Sequence, residues 1–340
     1  MSTIVSDVVV DVQYGDCGKG KVTHHLARNG NYTHVVRYNG GHNAGHTIYH
    51  EGQKFITHAI PCGVFFGIKS IIGPGCVVNP ERLLEEMDEL RNAGIDIDNL
   101  LMIAENAHVI TDWHLLEDGK DSAIGTTKRG NGPAYRDKYG RKGVRAKEVQ
   151  HFKEYLVDIY EEFHNNQEHD QVRILFEGAQ GFGLDIDWGD YPFVTSSHCT
   201  SASAFLNGVP PSSIRQVYGV GKIYETYVGA KHFEMEDLVL AERIRAAGQE
   251  FGATTGRPRQ VNWFDIDSIS RAIDINGVTK LVINKVDVLE GLVDEGDYLR
   301  VYHGDNMYSF DSMDDMKYYI QEHIGRDNMD IFFSGNKDRI

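Results

Sequence analysis

The sequence predicts an α/β protein with a doubly wound, mostly parallel central sheet, and three features of its 340 residues carry that prediction. Short apolar, β-branched runs recur along the chain, helical patterns separate them, and glycine-rich segments stand where several of the runs end. Strands buried on both faces read as continuous apolar runs rather than alternating ones. Alternation of such runs with helical patterns places helices on the faces of one sheet.

The first run, Val8-Val9-Val10-Asp11-Val12, stops at Gly15. Further strands are predicted over residues 33–38, 70–72, 100–104, 172–176, 216–220 and 281–283. One helix start is well marked: Asn79 can cap, Pro80 suits the first helical position, and Glu81 faces the positive end of the dipole. Leu83, Leu84, Met87 and Leu90 then share a face. Residues 119–143 and 250–262 lack apolar periodicity and are rich in Gly, Thr and Arg, which predicts long functional loops. Neither a repeat nor a Pro/Ser linker marks a boundary, so residues 1–340 are expected to form a single domain.

Composition excludes some roles. With 34 Lys and Arg against 50 Asp and Glu, the formal charge is −16, which argues against a surface that tracks nucleic-acid phosphates. Cys17, Cys62, Cys76 and Cys199 form no C-x-x-C pair and are read as reduced thiols. Asp7, Asp11 and Asp16 fall where a signal peptide needs an uncharged stretch, and no run approaches the ~18 apolar residues of a membrane span. A cytoplasmic protein without a membrane or nucleic-acid partner is expected.

Residues 15–22, GDCGKGKV, satisfy G-x-x-x-x-G-K but carry Val22 where a phosphate loop of the P-loop NTPase type has Ser or Thr. Backbone N–H groups freed by Gly15, Gly18 and Gly20 can wrap an anion at the start of a helix, with Lys21 adding charge. The missing hydroxyl normally binds Mg²⁺. Asp16, inside the loop, is the nearest replacement, and its carboxylate could also accept a substrate proton. A Gly/Lys-rich surface turn is the plain alternative.

Asn284-Lys285-Val286-Asp287 follows an apolar run and gives N-K-x-D at a strand end. Guanine offers two donors on its pairing edge, matching the two acceptor oxygens of Asp287, whereas adenine has an acceptor at N1. A solvated Lys/Asp turn is the alternative. In Gly40-Gly41-His42-Asn43-Ala44-Gly45-His46-Thr47 either imidazole could serve as an acid or a phosphate-oxygen donor, and the residues do not choose between them. Gln180, in Phe176-Glu177-Gly178-Ala179-Gln180-Gly181, lies at a strand end of the sort that faces ligands and could bind an amide-like base edge. Thr126-Thr127-Lys128-Arg129 and Thr254-Thr255-Gly256-Arg257-Pro258-Arg259 concentrate hydroxyls and guanidinium forks suited to carboxylates and phosphates, or else form solvated faces.

Taken in order, GDCGKGK, NGGHNAGHT, IGTT-x-RG-x-GPAY-x-DK, LFEGAQG-x-x-LDID, YPFVTSS, FGATTGRPR with a GWFD-like segment, and NKVDVL resemble the adenylosuccinate synthetase family over nearly the whole chain. The resemblance implies a Mg²⁺- and GTP-dependent ligase that joins L-aspartate to IMP through 6-phosphoryl-IMP, releasing GDP and phosphate, in the first committed step from IMP to AMP. It implies that Asp16 takes the N1 proton of IMP, that His46 hydrogen-bonds the transferring phosphoryl group as acid, and that Gln180 steadies the base. One Mg²⁺ per subunit would rest on Asp16 and the Gly45 carbonyl.

GTP would lie along Gly15, Asp16, Cys17, Gly18, Lys19, Gly20, Lys21, Gly45, His46, Thr47, Arg259, Lys285, Val286, Asp287, Ser334, Gly335 and Asn336. IMP would meet Asp16, Lys19, Asn43, Ala44, Gly45, His46, Thr127, Gln180, Thr195 and Arg257, with Arg141 reaching the IMP of a neighbouring subunit in a homodimer. Aspartate would be held by Arg129, Thr254, Thr255 and Arg257. The chain departs from the family at Cys17, where relatives carry Glu, and at Pro258, where they carry Arg. It is also short, with gaps after Arg141 and Asp287, as in archaeal and viral forms.

Two other readings are set beside this one. A sibling enzyme uses dGMP to make a 2-aminoadenine nucleotide precursor, but replaces the loop aspartate by a small residue, and Asp16 is retained here. A GTP-binding switch protein would want Ser or Thr at Val22 and leaves His46, Gln180 and Arg257 unexplained.

Overall fold

The computed structural model describes residues 3–120, 124–166, 168–252, 256–293 and 298–335. All seven predicted strands lie in one nine-stranded sheet. Its order is Asp330–Ser334, Lys280–Asn284, Ile214–Lys222, Thr3–Asp11 (β1), Gln171–Glu177, His34–Arg37, Lys69–Ile72, Leu101–Ala104, Leu156–Val157. Every neighbouring pair is parallel.

Alternate residues of β1 feed two cores. Val8 and Val10 pack with Val36, Phe176 and Leu281 on one face, and Val9 packs with Val35, Leu175 and Val282 on the other. β1 begins before its apolar run because its buried polar residues find partners: Ser6 Oγ lies 2.9 Å from Ser213 Oγ, and Asp7 accepts from the Tyr32 hydroxyl at 2.7 Å. The sequence reading missed the two edge strands. Leu156–Val157 has only two residues, and Asp330–Ser334 alternates between exposed and covered positions.

A second, four-stranded sheet joins Tyr224–Tyr227, Gln260–Asp265, Leu299–His303 and Asn306–Phe310. His46–His50 and Gln53–Thr57 form a hairpin closed by Glu51 and Gly52, both at positive φ (48° and 82°), as a two-residue turn that follows strand twist requires.

The marked helix forms as Pro80–Asn92, with the Asn79 side chain accepting the Arg82 N–H at 3.0 Å and Leu83, Met87 and Leu90 buried. The stretch 119–143 is not wholly a loop, since Asn131–Tyr139 is helical. That helix buries only Asn131, Ala134 and Tyr135, too little apolar surface to show as a period. The stretch 250–262 likewise ends inside the strand Gln260–Asp265. Among the described residues no helix is long and apolar enough to cross a membrane.

Candidate active site

A parallel sheet delivers the carboxyl ends of its strands to one edge, and so brings motifs far apart in sequence into one crevice. At the end of β1 the organiser is Asp11, which the sequence reading treated only as part of the strand. Its carboxylate accepts the N–H groups of Gln13, Gly15 and Cys17 at 3.0, 3.1 and 3.2 Å and the Lys19 ammonium at 2.9 Å. A buried carboxylate needs such donors, and its place before a glycine loop was the available signal.

Asp16 takes the left-handed region (φ 56°) and is exposed. The helix Lys19–Asn29 (α1) follows, and Lys19 also donates to the Gln180 carbonyl at 2.5 Å. Val22, in place of the usual hydroxyl residue, is fully buried in the core with Val9 and Val35. The position has become a packing position.

The Asp16 carboxylate is partly exposed and meets Arg259 at 2.7 Å. Arg259 is itself gripped by Glu250, a fully buried carboxylate that also binds Lys222 and the Tyr224 hydroxyl, each at 2.7 Å. Burial raises the Glu250 carboxyl, but Lys222 and Arg259 outweigh it and bring it down to about 2.

The structure separates the two histidines that sequence left open. His46 Nδ1 lies 2.6 Å from Glu177 Oε1, and Arg37 approaches both the imidazole (3.0 Å) and Glu177 (2.8 Å). Glu177 also accepts the Cys62 N–H at 2.9 Å. Neither Arg37 nor Glu177 was singled out from sequence; an ionisable last residue on each of two apolar strands was the only sign. His42 instead accepts the Asn79 N–H at 3.3 Å and stands 4.0 Å from the buried Glu86, outside the main cavity.

Burial and then the Arg37 charge hold His46 at about 4, against the opposing pull of Glu177. An unfolded chain takes this proton near 6.5 and the folded chain only near 4. His46 therefore contributes stability in full above pH 6.5 and loses it as pH falls toward 4, on the order of 3 kcal/mol. Chemical unfolding at pH 7 and pH 5 checks this: His46→Gln is expected to shrink the loss of stability between the two, and an unchanged loss would contradict it.

One cavity of about 450 Å³ is lined by Gly15, Asp16, Lys19, Asn43, Ala44, Gly45, His46, Thr127, Gln180, Thr195, Arg257 and Arg259 from the predicted set. Tyr14, Asn131, Thr226 and Tyr227 also line it and were missed. Gln180, at positive φ (58°), donates to Asn43 Oδ1 at 3.0 Å, and the same oxygen accepts from Asn131 at 2.8 Å. The Gln180 Oε1 is buried with no hydrogen-bond partner, an acceptor waiting for a donor. Both terminal nitrogens of Arg257 donate to the Gly125 carbonyl at 3.2 Å and tie the two long loops together.

A second group of predicted residues lies at adjoining strand ends, outside that cavity. Lys21 donates to Asn284 Oδ1 at 3.0 Å and Ser334 Oγ at 2.7 Å, and Asn284 donates to the Cys17 carbonyl at 2.8 Å. Lys285 (φ 67°) donates to the Gly248 carbonyl at 2.7 Å, Val286 is buried, and Asp287 is exposed. Gly335 lies against Asp287, where a Cβ would come within 3.1 Å of its backbone nitrogen. A Cβ on Gly18 would meet the Asn284 amide at 2.9 Å, and one on Gly20 the Thr47 carbonyl at 2.9 Å, which explains both glycines by close approach. Cys17 is buried and its thiol is pushed well up by burial. Arg129 and the exposed Arg141 do not line the cavity. Thr254, Thr255 and Asn336 lie outside the described residues.

The adenylosuccinate synthetase family profile matches residues 8–162 and 146–301. The adenylosuccinate synthetase of Geobacillus kaustophilus is 41% identical over 341 residues, covering 84% of this chain and 78% of the relative. That of Streptococcus gordonii is 42% identical, covering 85% and 78%. The fully ligated adenylosuccinate synthetase of Plasmodium falciparum superposes with a TM-score of 0.84 at 26% identity, covering 98% of this chain and 97% of that one. A cyanophage S-2L succinoaminodeoxyadenylate synthetase, solved with dGMP and with dATP as energy donor, shares the fold with a TM-score of 0.70 at 23% identity, covering 94% and 99%. The chain thus belongs to the adenylosuccinate synthetase family, ligases that use GTP to join L-aspartate to IMP.

Proposed function

We propose that the large cavity holds IMP and aspartate, that GTP runs from the phosphate loop to Asp287, and that Asp16 is the base of the first step. The observation that carries this reading is the partly exposed Asp16 carboxylate in the same cavity as His46 and the unpartnered Gln180 oxygen. Asp16 takes the N1 proton of IMP, the electron pair moves to O6, and O6 attacks the γ-phosphorus as GDP leaves. The aspartate amine then attacks C6, phosphate departs with the C–O pair, and the nitrogen sheds a proton to give adenylosuccinate.

The remaining residues position groups. Glu177 holds Nδ1–H of His46 and so fixes which imidazole edge meets the transferring phosphoryl group. A phosphate polyanion brought beside the ring favours its protonated, donating form. Gln180 Oε1 accepts from the base, Arg257 pairs with a carboxylate, and Asp287 reads the two donors of guanine.

Mg²⁺ fits the residues present, although among the described residues no group of three His, Cys, Asp or Glu side chains could hold a metal. In phosphoryl transfer this ion takes few protein oxygens and completes its shell with phosphates and water, so the Asp16 carboxylate and the Gly45 carbonyl, which line one cavity, suit it. Its contribution is neutralisation of phosphate charge. We read residues 1–340 as one domain, because the cavity draws on residues from Tyr14 to Arg259. The exposed Arg141 suits the role of reaching a second copy's IMP in a homodimer. Four buried free cysteines suit a reducing cytoplasm.

The test offers IMP or dGMP with GTP, Mg²⁺ and aspartate and identifies the product by mass. Adenylosuccinate from IMP, and no product from dGMP, is expected. Product from dGMP alone would assign the sibling activity, and GTP hydrolysis without any ligated product would assign a switch protein.

A further inference from the structure

A second cavity, of about 310 Å³, lies between the strands Tyr224–Tyr227 and Gln260–Asp265 and the segment 231–234. Tyr14 lines both cavities. None of the residues given a role in the ligase reaction lines this one. Glu225 does line it, is 4% exposed, and has an Oε1 buried without a hydrogen-bond partner. A second carboxylate, Asp265, stands in the same wall. Its Oδ1 caps the following helix through the Ser268 N–H at 3.0 Å.

We propose that this cavity is a binding site for a compact organic ammonium, a short alkylamine whose charged end lies between Glu225 and Asp265 and whose chain lies on the aromatic wall. The reasoning is by complementarity. Of the other charged lining groups, Glu234 is already paired with Arg245 at 2.8 Å and Lys231 with Asp190, which leaves the Glu225 and Asp265 carboxyls without an ion-pair partner. Burial, reinforced by the charge of Asp265 and opposed by that of Lys231, pushes the Glu225 carboxyl well above its ordinary range, so it keeps its proton in the free chain and gives it up to solvent when the ammonium enters.

The wall is built from Tyr14, Phe233, Trp263 and Tyr302. Ring faces attract an ammonium within about 6 Å, and two of these rings already do so: Lys231 Nζ stands 5.3 Å from the Tyr14 centroid and 5.4 Å from that of Phe233. An organic cation fits better than a metal ion. Among the described residues no group of three His, Cys, Asp or Glu side chains could hold a metal, and ring faces add nothing to metal coordination. A neutral polar ligand would satisfy Oε1 but leave both carboxylates and the rings unused. This site is independent of the ligase reading and goes beyond it.

The experiment titrates 1,4-diaminobutane into the full chain by calorimetry at 0.15 M salt, where attraction to the acidic surface is screened. Saturable binding at one site per chain is expected, with no binding of the uncharged 1,4-butanediol and at least tenfold weaker binding to Glu225→Gln. A thermal melt confirms that the variant is folded. Asp265→Asn, whose side chain can still cap Ser268, provides a second variant with the same expected weakening, and it decides the test if Glu225→Gln does not fold. No saturable binding, equal binding of the diol, or undiminished binding to either folded variant would overturn the proposal.

Discussion

Asp16→Asn is expected to lower kcat by about 10²–10⁴-fold while GTP binding stays measurable. Asparagine has the same shape and tolerates the left-handed backbone (φ 56°) that residue 16 adopts. The loop is held from beneath by Asp11 and by the Asn284 bond to the Cys17 carbonyl, neither of which involves the Asp16 side chain. Arg259 loses one partner but keeps Glu250. What disappears is the carboxylate proposed to accept the proton of the base. Steady-state turnover with IMP and aspartate, beside an equilibrium titration with GTP, separates the two effects. Turnover within tenfold of the parent would contradict the assignment.

Glu177→Gln is expected to cost about 3–5 kcal/mol of stability, because it leaves a buried charge without its counter-ion. Arg37 is 2% exposed and Glu177 fully buried, and they meet at 2.8 Å. Burial raises the Glu177 carboxyl, yet Arg37 and His46 overcome that and hold it at about 2, so it is ionised throughout the physiological range. Glutamine keeps one acceptor oxygen and so can serve His46 or the Cys62 N–H but not both, and the loss combines the missing charge with one hydrogen bond. Urea unfolding measures it, and a change below about 1 kcal/mol would show that the triad is not the electrostatic unit described. Turnover is expected to fall as well, since His46 loses the carboxylate that fixes its ring.

The sheet was legible from sequence where strands are buried on both faces. Val8 to Val10 and Leu281 to Ile283 read as apolar runs because each faces two cores. Strands at edges or in the second sheet were not legible: Asn306–Phe310 is exposed over most of its length, and Tyr224–Tyr227 buries Glu225 and Thr226 among aromatics. The site divides the same way. The phosphate loop and Gln180 were readable because glycine spacing is a local property, whereas the residues alone did not separate His46 from His42. Glu250 and Arg37 were not, because their meaning comes from partners such as Lys222 and Glu177 on other strands. Asp11 was missed although its partners lie close in sequence, in the loop that follows it and at the first residue of α1.

The most direct test is a crystal structure with IMP, a non-hydrolysable GTP analogue and Mg²⁺ bound. The account predicts the Asp16 carboxylate within hydrogen-bonding distance of N1 of IMP and in contact with the metal. A carboxylate that remains on Arg259 and touches neither base nor cation would contradict it.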